Sequence, residues 1–256
     1  MDAYFGSAEG IPCESFDSVF ETVQSGRCEA GLIPIENSLT GSIHQNYDLL
    51  LRHDLYIVGE YFLRVRHCLI ALPGMKKSEV KKVISHPQAL AQCAEYLRNM
   101  GVQIEPVYNT AGGVKILKES GARDTAAIAS HRAAELYGME ILDAGIEDNP
   151  ENYTRFLVIA TESVTPVADA KTSIVFTLKN RPGALAQALS VFALREIDVT
   201  KLESRPLAGK PWEHVFYLEL IGAKSEESVR RALDDLRADA MMLRVLGSYP
   251  RHRPQE

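Results

Sequence analysis

Composition offers this chain few partners. Its 28 basic residues form no run, and 34 acidic residues leave a net charge of −6. Neither nucleic acid nor a membrane surface is therefore expected as a partner. No apolar stretch approaches the ~20 residues of a membrane span. No charged segment followed by an apolar core opens the chain, so secretion is not expected. The four cysteines, Cys13, Cys28, Cys68 and Cys93, include no C-x-x-C pair. That spacing argues against zinc or a redox dithiol and fits reduced, packed thiols in the cytoplasm. H-E-x-x-H, G-x-S-x-G, a Walker loop and G-x-G-x-x-G are all missing, so no metal and no organic cofactor is expected. His44, His53, His67, His86 and His131 are scattered, as helix-surface or core histidines are.

What is there is an ordinary globular balance, 46% hydrophobic and 24% charged over 256 residues, enough for one large domain or two modest ones. The stretch that draws attention is Asn152-Tyr153-Thr154-Arg155-Phe156, running into Leu157-Val158-Ile159-Ala160. Phe156 to Ala160 reads as a buried strand. A hydroxyl, a guanidinium and an amide at its mouth must be paired, and a ligand is one candidate partner. Arg155 pairing with a carboxylate and Thr154 capping a turn is the simpler account of that stretch alone.

Residues 15–25 read as a helix capped by Ser15 and stopped by Gly26, with Phe16, Val19, Phe20 and Val23 on one face. A strand over 30–35 leads to Glu36–Gly41 and a second helix bearing Ile43, Tyr47, Leu50 and Leu51. Two strands fit within 55–72. Strand 82–85 then meets a helix with Pro87 at its first position. Strand 102–108 meets Thr110-Ala111-Gly112-Gly113 at the start of another helix. Strand 125–129 precedes Ser130 and helix 131–137, and strand 139–144 leads to the polar loop 145–153. This is α/β grammar. Residues 162–171 read as a linker. Residues 172–250 then read strand, helix, strand, strand, helix, strand, with Ser225 capping the second helix, a ferredoxin-like βαββαβ plan.

Three polar loops, Glu36–Gly41, Ser85–Gln88 and Thr110–Gly113, sit where strands end and helices begin. Ligands collect at such junctions, and free N–H groups there favour an anion. With Arg155 added, the set suits a small dianionic carboxylate. In the second region, Asn180-Arg181-Pro182-Gly183-Ala184-Leu185 and Leu202-Glu203-Ser204-Arg205-Pro206 read either as a turn and an ion-paired strand end, or as a pocket for a small zwitterion.

Taken together, these residues closely resemble the prephenate dehydratases of phenylalanine synthesis and their plant relatives, the arogenate dehydratases. The resemblance covers nearly the whole length. It rests on Ile33-Pro34-Ile35-Glu36-Asn37-Ser38, on the segment Gly41 to Leu50, on Ser85-His86-Pro87-Gln88-Ala89-Leu90 and on Thr154-Arg155-Phe156. Residues 172–250 resemble the ACT regulatory module through Pro182-Gly183-Ala184-Leu185 and Glu203-Ser204-Arg205-Pro206.

The resemblance implies an α/β chain. Its catalytic domain, 1–161, would be bilobal and similar to type-2 periplasmic binding proteins, with lobes of about 1–70 plus 145–160, and 71–144. An ACT domain over 172–250 and a tail, 251–256, would follow. The implied reaction removes CO2 and water from prephenate to give phenylpyruvate. Thr154 is assigned by the resemblance as hydrogen-bond donor to the leaving hydroxyl. Asn37, Ser38, Ser85, Gln88 and Thr110 are expected on the substrate, Arg155 near a carboxylate or holding the cleft in shape, and Phe156 packing against Thr154. L-phenylalanine is expected as inhibitor on Asn180, Gly183, Ala184, Leu185, Glu203, Ser204 and Arg205, in a homodimer or homotetramer.

Family members begin with a buried strand and a glycine-containing loop, whereas Met1-Asp2-Ala3-Tyr4-Phe5-Gly6 falls inside the first helix by resemblance. An exposed edge in the first lobe and fewer substrate contacts are expected from that difference. A non-catalytic phenylalanine sensor is the competing reading, and a solute-binding protein is disfavoured by the lack of a signal peptide. Prephenate is preferred to arogenate because no plastid transit segment is recognised.

Overall fold

The computed structural model describes residues 2–166, 168–207, 209, 210 and 212–253, with residues 2 and 3 described by backbone alone. The first stretch carries α1 (Asp2–Phe5), α2 (Phe16–Gln24), β1 (Ala30–Asn37), β2 (Gly41–Ser42), α3 (His44–Arg52) and β3 (Tyr56–Arg64). The middle carries β4 (Cys68–Ala71), β5 (Lys82–Ser85), α4 (Pro87–Gln92), α5 (Ala94–Met100), β6 (Gln103–Pro106) and α6 (Thr110–Ser120). It continues through β7 (Thr125–Ala129), α7 (His131–Tyr137), β8 (Glu140–Ala144) and β9 (Tyr153–Ala160). The last stretch carries β10 (Ala170–Leu178), α8 (Ala184–Ala193), β11 (Val199–Pro206), β12 (His214–Ile221), α9 (Glu227–Asp239) and β13 (Ala240–Pro250).

Local chemistry sets several boundaries. Ser15 and Ser18 form a reciprocal cap at the start of α2, leaving Phe20 and Val23 buried on its inner face. Pro87 opens α4, and His86 Nδ1 accepts from Gln88 N at 3.2 Å. The expected Ser225 cap is not formed. Glu226 precedes α9 instead, its carboxylate accepting from Ala223 N at 2.7 Å. Thr154 and Arg155 lie inside β9 rather than at its mouth. Sequence misses this because polar residues in a strand look like a loop until their partners are known.

The chain divides into two compact units, residues 1–63 with 154–256, and residues 64–153. The first boundary falls earlier than the expected one near 70, because Cys68–Ala71 pairs with β7 and β8. In the unit 64–153 the strand order is β6-β5-β7-β4-β8. β5 is parallel to β6 and β7, and β4 runs antiparallel to β7 and β8. One face buries Leu69, Val83, Leu90 and Ile128, the other Ile70, Ile84, Val114 and Leu117. The small residues Ala126, Ala127 and Ala129 leave room for side chains approaching β7 from both sides.

The other unit holds two antiparallel sheets, ordered β2-β1-β9-β3 and β11-β12-β10-β13. The second has the ferredoxin-like order. Its outer face packs against α8 and α9 through Phe176, Phe192, Leu218 and Leu236. Its inner face, with Val175, Tyr217, Leu246 and Tyr249, joins Ile33, Leu50, Ile57 and Leu157 in a single core. So β10 is buried on both faces, and this sheet is not the free-standing body that residues 162–171 suggested as a linker. At Gly247 a Cβ would stand 2.0 Å from the Ile57 carbonyl oxygen, so only glycine lets the two sheets approach there. Among the described residues, β1 pairs with β9 along its length but with β2 only at Glu36 and Asn37. A cavity of about 540 Å³ lined by Ile11, Cys13, Phe16, Val19, Cys28 and Gly31 lies beside it. Cys13 and Cys28 are accordingly half-buried, while Cys68 and Cys93 are fully packed.

Candidate active site

β1 and β9 run antiparallel from Ala30↔Ala160 to Asn37↔Thr154, with a bulge between Pro34 and Glu36. The bulge sets the phase of the strand end, because a one-residue slip sends every later side chain to the other face. The final pair is Asn37 with Thr154. Asn37 Oδ1 accepts from the backbone N–H of Leu39 and of Thr40, both at 3.1 Å. These groups can only donate, so the amide orientation is determined. Its Nδ2 then donates to Thr154 Oγ1 at 3.2 Å. A hydroxyl that accepts keeps its own proton to donate elsewhere. Thr154 is half-buried, Ser38 is exposed beside it, and Phe156 is half-buried opposite Pro34.

The preceding pair, Glu36 with Arg155, points to the opposite face. There Arg155 is 5% exposed. Its Nε reaches Glu60 Oε2 at 2.8 Å and its Nη2 reaches Glu219 Oε2 at 2.7 Å. Lys171 Nζ lies 2.9 Å from Glu60 Oε2 and 3.6 Å from Glu219 Oε2. Two cations and two carboxylates thus close a neutral, buried quartet. Burial alone would lower the Arg155 pKa, but Glu219 and Glu60 outweigh it and raise the value. Arg155 is spent on the protein. Of the two roles expected for it, the geometry favours holding shape. Buried Tyr249 shares a hydrogen bond with Ser173 at 2.8 Å beside this quartet, and its phenol is raised by burial.

Within residues 64–153, parallel β5 and β6 place Ser85 opposite Pro106, and Val107 N donates to Ser85 O at 2.9 Å. The loops Ser85–Gln88 and Thr110–Gly113 therefore adjoin the same end of one sheet. Ser85 is fully buried and its hydroxyl donates to Ile128 O at 2.6 Å. Its only proton is used between strands, which removes it from the expected substrate donors. Gln88 is exposed and Thr110 half-buried, and neither side chain has a hydrogen-bond partner among the described residues.

The expected effector residues divide. Asn180, Ala184 and Leu185 line a cavity of about 120 Å³ with Trp212, His214 and Phe216, and Gly183, at φ 79°, starts α8 next to it. Ser204, on the face of β11 that alternates outward, pairs with Phe216. Glu203 and Arg205 take the other face. Ser42 donates to Glu203 at 2.6 Å, His44 lies 3.3 Å from it, and Arg205 Nη2 reaches Asp48 Oδ2 at 2.7 Å. Those two side chains bind α3 and β2, not the cavity. Sequence reasoning missed Glu60, Lys171, Lys201 and Glu219. A lone glutamate inside Val215-Phe216-Tyr217-Leu218-Glu219-Leu220-Ile221 was the available signal, since a charge in a buried strand demands a partner.

Comparison with known proteins divides the chain elsewhere, between residues 164 and 172. A family model described as "Prephenate dehydratase" matches residues 1–164, and one described as "ACT domain" matches residues 172–238. A relative from Arabidopsis thaliana named "Arogenate dehydratase/prephenate dehydratase 2, chloroplastic" is 46% identical, aligned over 96% of this chain and 68% of its own length. The chain spans about two thirds of the length of the plant relatives it matches. A solved prephenate dehydratase from Arthrobacter aurescens, in complex with L-Phe, superposes with a TM-score of 0.85 at 31% identity, over 94% of this chain and 81% of its own. A structure titled "GqqA- a novel type of quorum quenching acylases" superposes with a TM-score of 0.90 at 33% identity, over 97% and 92%.

Proposed function

The chain belongs to the prephenate dehydratase family and ends in an ACT domain, and from that premise we propose that it converts prephenate to phenylpyruvate, CO2 and water. In that reaction the bond from the ring to its carboxylate breaks and its electron pair enters the ring. The opposite ring C–O bond breaks as aromaticity is gained. The departing hydroxide takes one proton, so the prephenate dianion plus one proton gives phenylpyruvate, CO2 and water. The observation carrying this reading is the Asn37–Thr154 pair. An oxygen that already accepts from Asn37 presents its proton outward, where a leaving hydroxyl can receive it. A threonine is a weak acid, so the proton consumed comes from water, and orientation and charge placement do most of the catalysis. Ser38, Gln88 and Thr110 are the polar side chains proposed for the substrate, with Phe156 packing behind Thr154.

The test is phenylpyruvate formation by the purified chain, with and without L-phenylalanine. Thr154→Val should lower kcat by about 100- to 1,000-fold, and Thr154→Ser should keep most of it. Full turnover by Thr154→Val would remove the assigned role. L-phenylalanine is proposed as inhibitor at the ACT sheet beside Asn180, Ala184 and Leu185, supported by the L-Phe complex of the Arthrobacter protein. Phenylalanine binding without any turnover would make the chain a sensor.

Two observations favour second readings. The plant relative's name includes arogenate, so arogenate, which would yield phenylalanine, belongs in the same assay. The acylase title calls for an amide-hydrolysis assay, although no carboxylate or imidazole is hydrogen-bonded to Thr154 among the described residues to serve as base.

A homodimer or homotetramer is proposed and is read by light scattering. No nucleic acid or membrane partner is proposed, consistent with the net charge of −6. No helix among the described residues is long and apolar enough to cross a membrane. Four free thiols support a reducing compartment, proposed as the cytoplasm. The plant relative is named chloroplastic, so fractionation of the source cell decides between them.

A further inference from the structure

We propose that Lys201 and Glu219, on the inner face of the β11-β12-β10-β13 sheet, are positioning residues for the Asn37–Thr154 pair. The proposal rests on the reaction assigned above and extends it to catalysis without any effector. β1 and β9 end in two successive pairs with opposite duties. Asn37 and Thr154 face one way, hydrogen-bonded at 3.2 Å. Glu36 and Arg155, one residue back on each strand, face the other way, and the regulatory sheet holds both.

Glu219 grips Arg155 at 2.7 Å. Lys201 Nζ grips Glu36 Oε1 at 2.8 Å and also donates to Ser42 Oγ at 3.2 Å. Ser42 pairs with Glu36 across the β1–β2 hairpin, and Gly41 with Asn37. Each half of the Asn37–Thr154 pair is therefore one peptide unit from an ion pair made by the other sheet.

The local geometry explains why such a grip matters. The bulge between Pro34 and Glu36 interrupts the ladder just before this end, and β2 adds only two residues of pairing. Glu36 and Asn37 are backbone-paired to both β2 and β9, but a bulge permits more than one twist of the strand end that carries them. The Arg155–Glu219 pair, with side-chain exposures of 6% and 7%, is screened little by solvent, and the Lys201–Glu36 pair, at 13% and 36%, is screened on its Glu36 side only. They select one arrangement. A hydrogen bond at 3.2 Å between Asn37 and Thr154 survives only small shifts of either backbone.

The test uses the full chain with prephenate and no phenylalanine. Lys201→Met should lower kcat by about 10- to 100-fold, as misplacements near 1 Å do, with KM changed less than about threefold and the circular dichroism spectrum retained. Lys201→Arg, which can still reach Glu36, should restore most of kcat. Glu219→Gln should act in the same direction, and if it fails to fold the Lys201 pair carries the test. A lowered melting temperature with kcat unchanged at 25 °C would leave these residues a structural role only and overturn the proposal. If the unaltered chain does not turn over prephenate or arogenate, the reaction assignment falls separately. Amide hydrogen exchange then decides the positioning claim. Faster exchange confined to residues 36–42 and 153–156 in Lys201→Met supports it, and unchanged exchange there refutes it.

Discussion

β7 and β10 are both buried along nearly their whole length, yet they are made of different material. β7 is Thr125-Ala126-Ala127-Ile128-Ala129, apolar apart from one threonine. β10 begins Ala170-Lys171-Thr172-Ser173, and each of those polar side chains has a named partner. Thr172 donates to Gly222 O at 2.7 Å, Ser173 bonds Tyr249, and Lys171 closes the buried quartet. β7 is covered on both faces by apolar side chains of its own unit, where shape and volume suffice. β10 has helices on one face and a second sheet on the other, and two flat surfaces of similar hydrophobicity could settle in several registers. Directional charge pairs penalise all registers but one, a hypothesis of specificity rather than of added stability.

The largest expected effect tests that contrast directly. Lys171→Met alone leaves two buried carboxylates sharing Arg155 as their one cation, an uncompensated buried charge that should cost about 3–5 kcal/mol in urea unfolding. Lys171→Met with Glu219→Gln removes one charge of each sign and leaves Arg155 with Glu60 at 2.8 Å. The double change should therefore cost much less than the sum of its parts. Additive losses would mean the quartet does not act as a unit.

Steric substitutions should come next. Ala127→Val in β7 overfills a packed site for about 1–3 kcal/mol. Gly247→Ala must displace the Ile57 carbonyl, which a side-chain rotation cannot relieve, and should cost at least as much. If Gly247→Ala proves milder, the seam between the two sheets is softer than the core beside β7.

The smallest effect is spectroscopic. Tyr47, Tyr217 and Tyr249 all face this seam, and burial, followed by nearby carboxylates, raises each phenol above its ordinary value. Unfolded phenols ionise near pH 10, so the stability these groups contribute is complete below that pH and is lost as pH rises beyond it. Absorbance at 295 nm should show three of the ten tyrosines untitrated until the protein unfolds. Their titration near pH 10 in the folded protein would show the seam open to water.

Much of the fold was legible because its causes are local. The Ser15 cap, Pro87 at the first turn of α4, and Ser130 with Gly138 around α7 are all formed as expected. The βαββαβ order was readable from period and turn residues alone. The site was legible only in part. Thr154 and Asn37 were identified by resemblance, and the structure supplies the hydrogen bond between them. Ser85 was misjudged because a hydroxyl in sequence does not reveal that its proton already belongs to Ile128. Glu203 and Arg205 stood next to Ser204 in the chain, but alternation along β11 separates them by a whole sheet thickness.

By itself, then, the sequence determined the elements, their order and the identity of the polar groups at the end of β9. Capping, proline geometry and hydrophobic period act within a few residues. Tertiary structure alone decided what those polar groups are for. Arg155 meets a glutamate 95 residues earlier, Lys171 one 111 residues earlier, and Ser42 one 161 residues later. A charge declares its need for a partner in the sequence, but which partner answers depends on how two sheets face each other.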